Sequence, residues 1–413
     1  MSKLAILFFS LFPILLMGQT SIYDIQYTTI PGDGSYPSLY EGQTVTTGGI
    51  VTVADFDGGR YFISSSQGGP WNGLFVYDNH YTPAVGDSIL ITGQVYEYRG
   101  MTEIKDLSSF TVVSTSNPLP EYTAIHTSEI SGEAWEGVPV EITSCEALSG
   151  YDDYGGFQVD DGSAAGTVRA GRYNLEADGF PMVEGFPFAS IKGIVTDYYG
   201  PCLLPGSYDD YRSEPGALVM ATEEQFVDEQ GVFEVPVKIA LLSQSENIAT
   251  YHLEMTFDHS VLNYQGYETE GTLSGQGEIT DNSGADQISI LFDGASVCDR
   301  PATLICLKFT PENSGNGNLQ FQSSLINDSG VALYATGDIV SGAGQCNTAQ
   351  ADTLTIVQRP LLNIPSIVTP GESFMIECFA PANTTGWNAG LTFADLEIEL
   401  SIVNADYNST LDK

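Results

Sequence analysis

Four histidines, His80, His126, His252 and His259, are the side chains of this chain that could move protons near neutral pH, and no two stand at an HExxH or other metal-pair spacing. GxSxG, a phosphate loop ending in Gly-Lys and a CxxC pair are also missing from the sequence. His252 lies on the polar side of an alternating run, Tyr251 to Phe257, and His259 sits in the turn that follows. No catalytic residue is therefore assigned, and the chain as given is not expected to be an enzyme. Carboxylates are abundant. Asp152-Asp153 and Asp160-Asp161-Gly162 flank one hairpin. A hard cation such as calcium takes several carboxylate and carbonyl oxygens from tight turns, so calcium is the cofactor these four would serve. Asp-Gly is equally a hairpin-turn signal, and the turn role is the expected one.

Aromatic side chains suggest a different chemistry. Tyr96, Tyr98, Tyr198 and Tyr199 recur near strand ends, where their rings could stack on sugars or pack across a sheet. Charge separates the ligand classes. The chain of 413 residues carries 53 acidic and 13 basic residues, a net charge of −40. Phosphate contacts need Lys and Arg, so nucleic acid is not an expected partner, nor is an anionic membrane surface. Stacking on a polysaccharide needs no positive charge.

The elements that must position these residues are strands. Gly 44, Pro 20, Tyr 22 and Phe 20 describe a turn-rich all-β protein. Met1-Ser2-Lys3, an apolar run from Leu4 to Met17 and then Gly18 have the form of a signal peptide over 1–18. Its apolar core is too short for an ordinary span, so no membrane span is expected after cleavage and the protein is expected outside the cell or at its surface. Six cysteines in an exported chain suggest disulfides: Cys145, Cys202, Cys298, Cys306, Cys346 and Cys378.

A repeat with a period of one hundred residues organises the first half. Ile91-Thr92-Gly93-Gln94-Val95-Tyr96-Glu97-Tyr98-Arg99-Gly100 returns as Ile191-Lys192-Gly193-Ile194-Val195-Thr196-Asp197-Tyr198-Tyr199-Gly200. So long a period marks a duplicated domain. Short alternating runs split by Gly-rich turns, such as Gln43 to Asp55, Arg60 to Ser64 and Gly73 to Tyr77, suit a small barrel. The segments GGIVT, RYFISSSQGGPWNGLFVYD and VGDSILITGQVYEYRGMTEI resemble the OB-fold modules of secreted bacterial nucleases and phosphoesterases. EGVPVEITS, DDYGGFQVDDGS and KGIVTDYYGPCLLPGSYDDY make the second copy similar. The resemblance implies OB-fold domains at 20–117 and 120–214. Cys145 and Cys202 occur in one copy only, on strands that neighbour each other in such a barrel, and a Cys145–Cys202 bridge is expected.

Ser213-Glu214-Pro215-Gly216 has linker composition, and residues 218–345 change to a pattern of about nine short strands. VPVKI, YHLEMTFDHSVLNYQGYETEGTLS, QISILFDGAS and ATLICLKFTPENSG resemble a cohesin domain, most specifically at Phe257-Asp258-x-x-Val261-Leu262. That resemblance implies a β-sandwich and a dockerin-bearing or other exported protein partner. Where cohesins commonly present Asn or Asp to a dockerin, this chain has Thr250 and His252, with Glu254 beside them. Residues 355–413 suit three or four strands of a partial Ig-like unit, and NIPSIVTPGESFMIECFAPANTTGW is similar to the lead-in sandwich of secreted calcineurin-type phosphoesterases. The expectation is an all-β, non-catalytic protein that binds polysaccharide or protein. The alternatives are the accessory region of a longer metallophosphoesterase or nuclease, and a scaffold for dockerin-bearing enzymes of polysaccharide breakdown.

Overall fold

The structure, a computed structural model, describes residues 18–341 except 33, 198, 228–230, 243–245, 323, 328 and 331–332. The leader before Gly18, the partial Ig-like unit, Tyr198, Cys346 and Cys378 lie outside the described residues. Nearly every described element is a strand, and no helix among them is long and apolar enough to cross a membrane.

A short helix α1 (Ile22–Gln26), capped by the Ser21 side chain on Asp24 N–H at 3.0 Å, precedes the first barrel. The barrel comprises β1 (Thr44–Phe56), β2 (Arg60–Ser64), β3 (Gly73–Tyr77), β4 (Ser88–Tyr98) and β5 (Met101–Ser114). It closes in the order β1-β2-β3-β5-β4, with β3 and β5 parallel. Alternation explains which side chains fill it. Tyr61, Ile63, Leu74, Val76, Ile89, Ile91 and Val95 point inward, whereas Phe62 and Phe75 point out.

The second barrel repeats the plan. It is built from β6 (Thr123–Ile125), β7 (Pro139–Ala147), β8 (Phe157–Asp160), β9 (Gly166–Val168), β10 (Pro187–Asp197), β11 (Pro201–Leu204) and β12 (Tyr211–Ser213). Five of these close in the order β7-β8-β9-β11-β10 through the β10–β7 pairing, and β9 and β11 are again parallel. Both barrels therefore have the Greek-key order of an OB-fold. The hundred-residue repeat falls on β4 with its turn and on β10 with its turn. A Cβ on Gly93 would lie 2.7 Å from the Lys105 carbonyl oxygen, and one on Gly193 2.7 Å from that of Leu204. The repeat glycines thus mark the point where the fourth strand crosses the fifth.

The barrels are joined through their outer faces. Phe62, Phe75, Val53, Phe56 and Met101 of the first pack on Ile194, Cys202 and Leu204 of the second. A Cβ on Gly73 would overlap the Gly137 backbone, so only glycine permits this approach.

The third unit is a sandwich. Its strands are β13 (Val219–Thr222), β14 (Gln225–Val227), β15 (Phe233–Ala240), β16 (Glu246–Thr256), β17 (Leu262–Glu268), β18 (Gly277–Asp281), β19 (Gln287–Cys298) and β20 (Ala302–Pro311). The short β21 (Gly315–Asn316), β22 (Gln320–Phe321), β23 (Leu325–Ile326), β24 (Ser329–Gly330), β25 (Leu333–Ala335) and β26 (Ile339–Ser341) complete it. One sheet runs β17-β20-β15-β13-β25 and the other β18-β19-β16-β23-β24, with β22 also on β16. Val235, Val237, Leu253, Met255, Ile288, Ile290, Leu307 and Phe309 meet between them. The Phe257-to-Leu262 element is a turn. Asp258 accepts from Ser260 N–H at 2.9 Å, and this seats Phe257, Val261 and Leu262 in the core.

Two bonds pin the segment between barrel and sandwich. Ser213 N–H donates to the Leu242 carbonyl at 3.3 Å and Glu214 N–H to that of Pro187 at 3.1 Å. Val219, Ala240 and Leu242 complete the second barrel's own core.

The expected Cys145–Cys202 bridge does not form. Both strands pair with β10, but Cys145 stands opposite Phe188 and Cys202 opposite Thr196, eight residues further along. That separation is roughly 25 Å of strand, whereas a disulfide needs Cα atoms within about 7 Å. Cys145 also faces the barrel interior and Cys202 the seam between barrels.

Candidate functional site

Thr250, His252 and Glu254 are brought together on the solvent side of the β18-β19-β16-β23 sheet. Their alternates Tyr251, Leu253 and Met255 are buried. The pairing sets the residues of this face in rows. Thr280, Leu291, His252 and Leu325 form one row across four strands. Glu278, Asp293 and Thr250 form the next, where Asn327 N–H donates to the Thr250 carbonyl at 2.9 Å. His252 Nε2 lies 3.2 Å from Ser289 Oγ and 3.3 Å from Glu254 Oε1. Leu291 is 40% exposed and Leu325 36%, where the alternation would have placed polar residues. Sequence reasoning named the polar members and missed both leucines. Their parity with His252 along adjoining strands was the signal available.

The rings of Tyr96 and Tyr98 each meet a basic side chain. Lys105 Nζ lies 3.0 Å from the centre of the Tyr96 ring, and the Arg99 guanidinium 5.5 Å from that of Tyr98. Each ring thus already faces a cation that a sugar would have to displace. Tyr199 is 80% exposed at the β10–β11 turn, with its carbonyl accepting from Arg169 at 3.0 Å. An OB barrel binds its ligands over the second and third strands. In the first barrel that face carries Phe62 and Phe75 and is covered by the second barrel.

Asp152, Asp160 and Asp161 accept hydrogen bonds within their own turns and from neighbouring side chains. Asp152 accepts from the Tyr154 and Gly156 N–H groups at 2.9 and 2.8 Å, and Asp160 from Gly162 N–H at 2.7 Å. Asp161 accepts from Thr127 Oγ1 at 2.7 Å and Ser163 Oγ at 2.6 Å, and pairs with His126 Nδ1 at 2.7 Å. Burial alone would raise the Asp161 carboxyl. The hydrogen bonds from Ser163, Thr127 and His126 outweigh it and hold the group well below the usual carboxylate range. Asp153 is exposed beside them. Among the described residues no three His, Cys, Asp or Glu side chains converge to hold a metal ion.

A feature that sequence reasoning missed lies in the seam between the barrels. Glu136 is 7% exposed and accepts from Thr102 N–H at 2.9 Å and Gln26 Nε2 at 3.4 Å. Burial, then the Glu133 and Glu97 carboxylates, push it well above the usual range. Burial, with Glu97 and Asp197, lifts Glu133 to about 7. Glu103, 3% exposed, is lifted by burial to about 7 despite Lys105 and Arg60. No local pattern distinguishes these glutamates from the many on the surface.

No family model matches the chain, and no curated protein does. Solved structures similar to it are cohesins. A non-cellulosomal cohesin from the hyperthermophilic archaeon Archaeoglobus fulgidus is 16% identical over 31% of this chain and 94% of its own, with a TM-score of 0.26. The seventh ScaB type I cohesin from Pseudobacteroides cellulosolvens is 16% identical over 33% of this chain and 96% of its own, with a TM-score of 0.26. A cohesin of the Coh-OlpC-Doc435 cohesin–dockerin complex from Clostridium thermocellum is 14% identical over 30% of this chain and 94% of its own, with a TM-score of 0.25.

Proposed function

We propose that this chain is an exported, non-catalytic binding protein whose sandwich docks a protein partner through the solvent face of the β18-β19-β16-β23 sheet. One observation carries this reading: Leu291 and Leu325 flank His252 in an exposed row across the sheet. Leucines on an outward sheet face lose free energy in water and regain it under a partner. Glu254, Glu278 and Asp293 rim the row, so the complementary surface is basic. The strands hold the row in one geometry before binding, which lowers the entropic cost of association. The cohesin resemblance at Phe257-Asp258-x-x-Val261-Leu262 implies that the partner carries a dockerin.

The test is calorimetric titration of the full chain with a panel of calcium-loaded dockerin modules. At least one is expected to bind. Changing Leu291 and Leu325 together to Asp should weaken that binding by two orders of magnitude or more, since central anchors each contribute about 2 kcal/mol or more. The circular dichroism spectrum should not change, because both side chains already face solvent. Failure of every dockerin, or unchanged affinity in a folded double variant, would overturn the reading.

A further inference from the structure

Three aromatic rings, Tyr23, Tyr27 and Trp71, gather on the outside of the first barrel. Tyr23 and Tyr27 stack across α1 with ring centres 5.3 Å apart and planes 10° apart. Trp71, from the β2–β3 loop, meets Tyr27 at 5.4 Å with planes 76° apart. Tyr23 is 43% exposed and Tyr27 41%, and the indole is partly exposed. Trp71 belongs to none of the hydrophobic cores. The surface is nevertheless rigid. Ile22 and Ile25 anchor α1 in the barrel core, and Gln26 Nε2 donates to the Gly73 carbonyl at 2.7 Å.

The backbone at Trp71 is the second, independent observation. Its φ is +66°, in the left-handed region that bulky residues avoid. Gly68 and Gly69 beside it also have positive φ, and a third glycine would take this conformation without strain. Instead an indole is held there. Trp71 N–H donates to the Ala134 carbonyl at 2.6 Å, Ser65 N–H to the Asn72 carbonyl at 3.0 Å, and Ser65 Oγ to Asn72 Oδ1 at 2.8 Å. Strain kept at a half-exposed aromatic points to function rather than stability.

The chemistry of the surface selects the ligand. Phenol and indole rings offer an apolar face with a polar edge, which suits the C–H face and hydroxyl rim of a pyranose. Between residues 18 and 79 the basic side chains reduce to Arg60, and Asp24 adjoins Tyr23. The segments that supply the three rings thus bring one basic side chain between them, which favours a neutral ligand over an anionic one. We propose that Trp71, Tyr27 and Tyr23 form a binding platform for a neutral polysaccharide, with one sugar lodged in the corner between the indole and Tyr27.

The experiment is calorimetric titration of the full chain with cello-oligosaccharide and xylo-oligosaccharide, with alginate as the anionic control and polylysine as the basic-polymer control. One or both neutral oligosaccharides should bind, and alginate should not. Trp71→Gly removes the ring and relieves the backbone. It should leave the melting temperature equal or higher while weakening binding about tenfold or more, ~1.4 kcal/mol. Tyr23→Ala, at an exposed position, should also weaken binding. The proposal is overturned if neither neutral oligosaccharide binds, if alginate binds more tightly, if polylysine alone binds, or if both variants bind like the parent. A lower melting temperature for Trp71→Gly with intact binding by Tyr23→Ala would make the rings structural and overturn it as well.

Discussion

Glu136→Gln tests whether the seam between the barrels holds protons at neutral pH. Glu133 and Glu103 are lifted from the ordinary glutamate value to about 7, and burial, with the Glu133 and Glu97 carboxylates, raises Glu136 well above that ordinary value. The sign follows from linkage. A carboxyl whose folded value is raised keeps its proton in the folded state over a range where the unfolded chain has lost it. Its stabilising contribution is complete below the unfolded value near 4.5 and is lost as pH rises towards the folded value. A lift of two to three units on a fully shielded group corresponds to roughly 3 kcal/mol, and partial access of water at the seam reduces this to roughly 1–2 kcal/mol each.

The parent should therefore melt several degrees lower at pH 8 than at pH 5, at roughly 2–4 °C per kcal/mol for units of this size. In Glu136→Gln the side-chain oxygen still accepts from Thr102 and Gln26, but no charge is left to bury at high pH. The variant should equal the parent at pH 5 and exceed it at pH 8 by about 1–3 kcal/mol. Thermal unfolding followed by circular dichroism across pH 4.5–8.5 measures both. A flat parent profile, or a variant less stable than the parent at pH 8, would refute the reasoning.

Phe75→Ala removes one of the outward rings of the first barrel that pack against the second, 4.8 Å from Phe62, and should cost about 3–4 kcal/mol. Chemical denaturation would reveal it, and a cost below about 1 kcal/mol would mean that the seam does not bury this ring. Cys145 faces the interior of the second barrel and is not joined to Cys202, so iodoacetamide added to the denatured, unreduced protein should alkylate it. Recovery of a peptide cross-linking Cys145 to Cys202 would contradict the strand register.

The parts of the fold that were legible in the sequence are those written in local repeats. Gly93 and Gly193 recur because two strands must cross closely twice, and the alternation through Tyr251 to Phe257 assigned His252 to the solvent side before any coordinates. Long-range registry was not legible. Gln26, Gly73, Thr102 and Glu136 meet at one place in the seam, yet no periodic signal links positions up to 110 residues apart. The disulfide expectation failed for the same reason. The two strands were expected to be neighbours, yet β10 lies between them, and Cys145 and Cys202 also differ in level and in face.

The seam also covers the face over which an OB barrel takes its ligands. In a free OB barrel the outer face of the second and third strands is the open one, and aromatics there would be candidates for stacking. Pairing two barrels through that face converts Phe62 and Phe75 from ligand contacts into core. The same contact carries the β2–β3 loop against the second barrel, where the Ala134 carbonyl holds the Trp71 backbone in its strained conformation and turns the indole towards Tyr27. Duplication thus closes one aromatic surface and, through its own packing, fixes another. Binding at Trp71 should therefore depend on the seam: Phe75→Ala, with no ring near the platform altered, should weaken neutral oligosaccharide binding along with stability. Full affinity in a folded Phe75→Ala protein would separate the two.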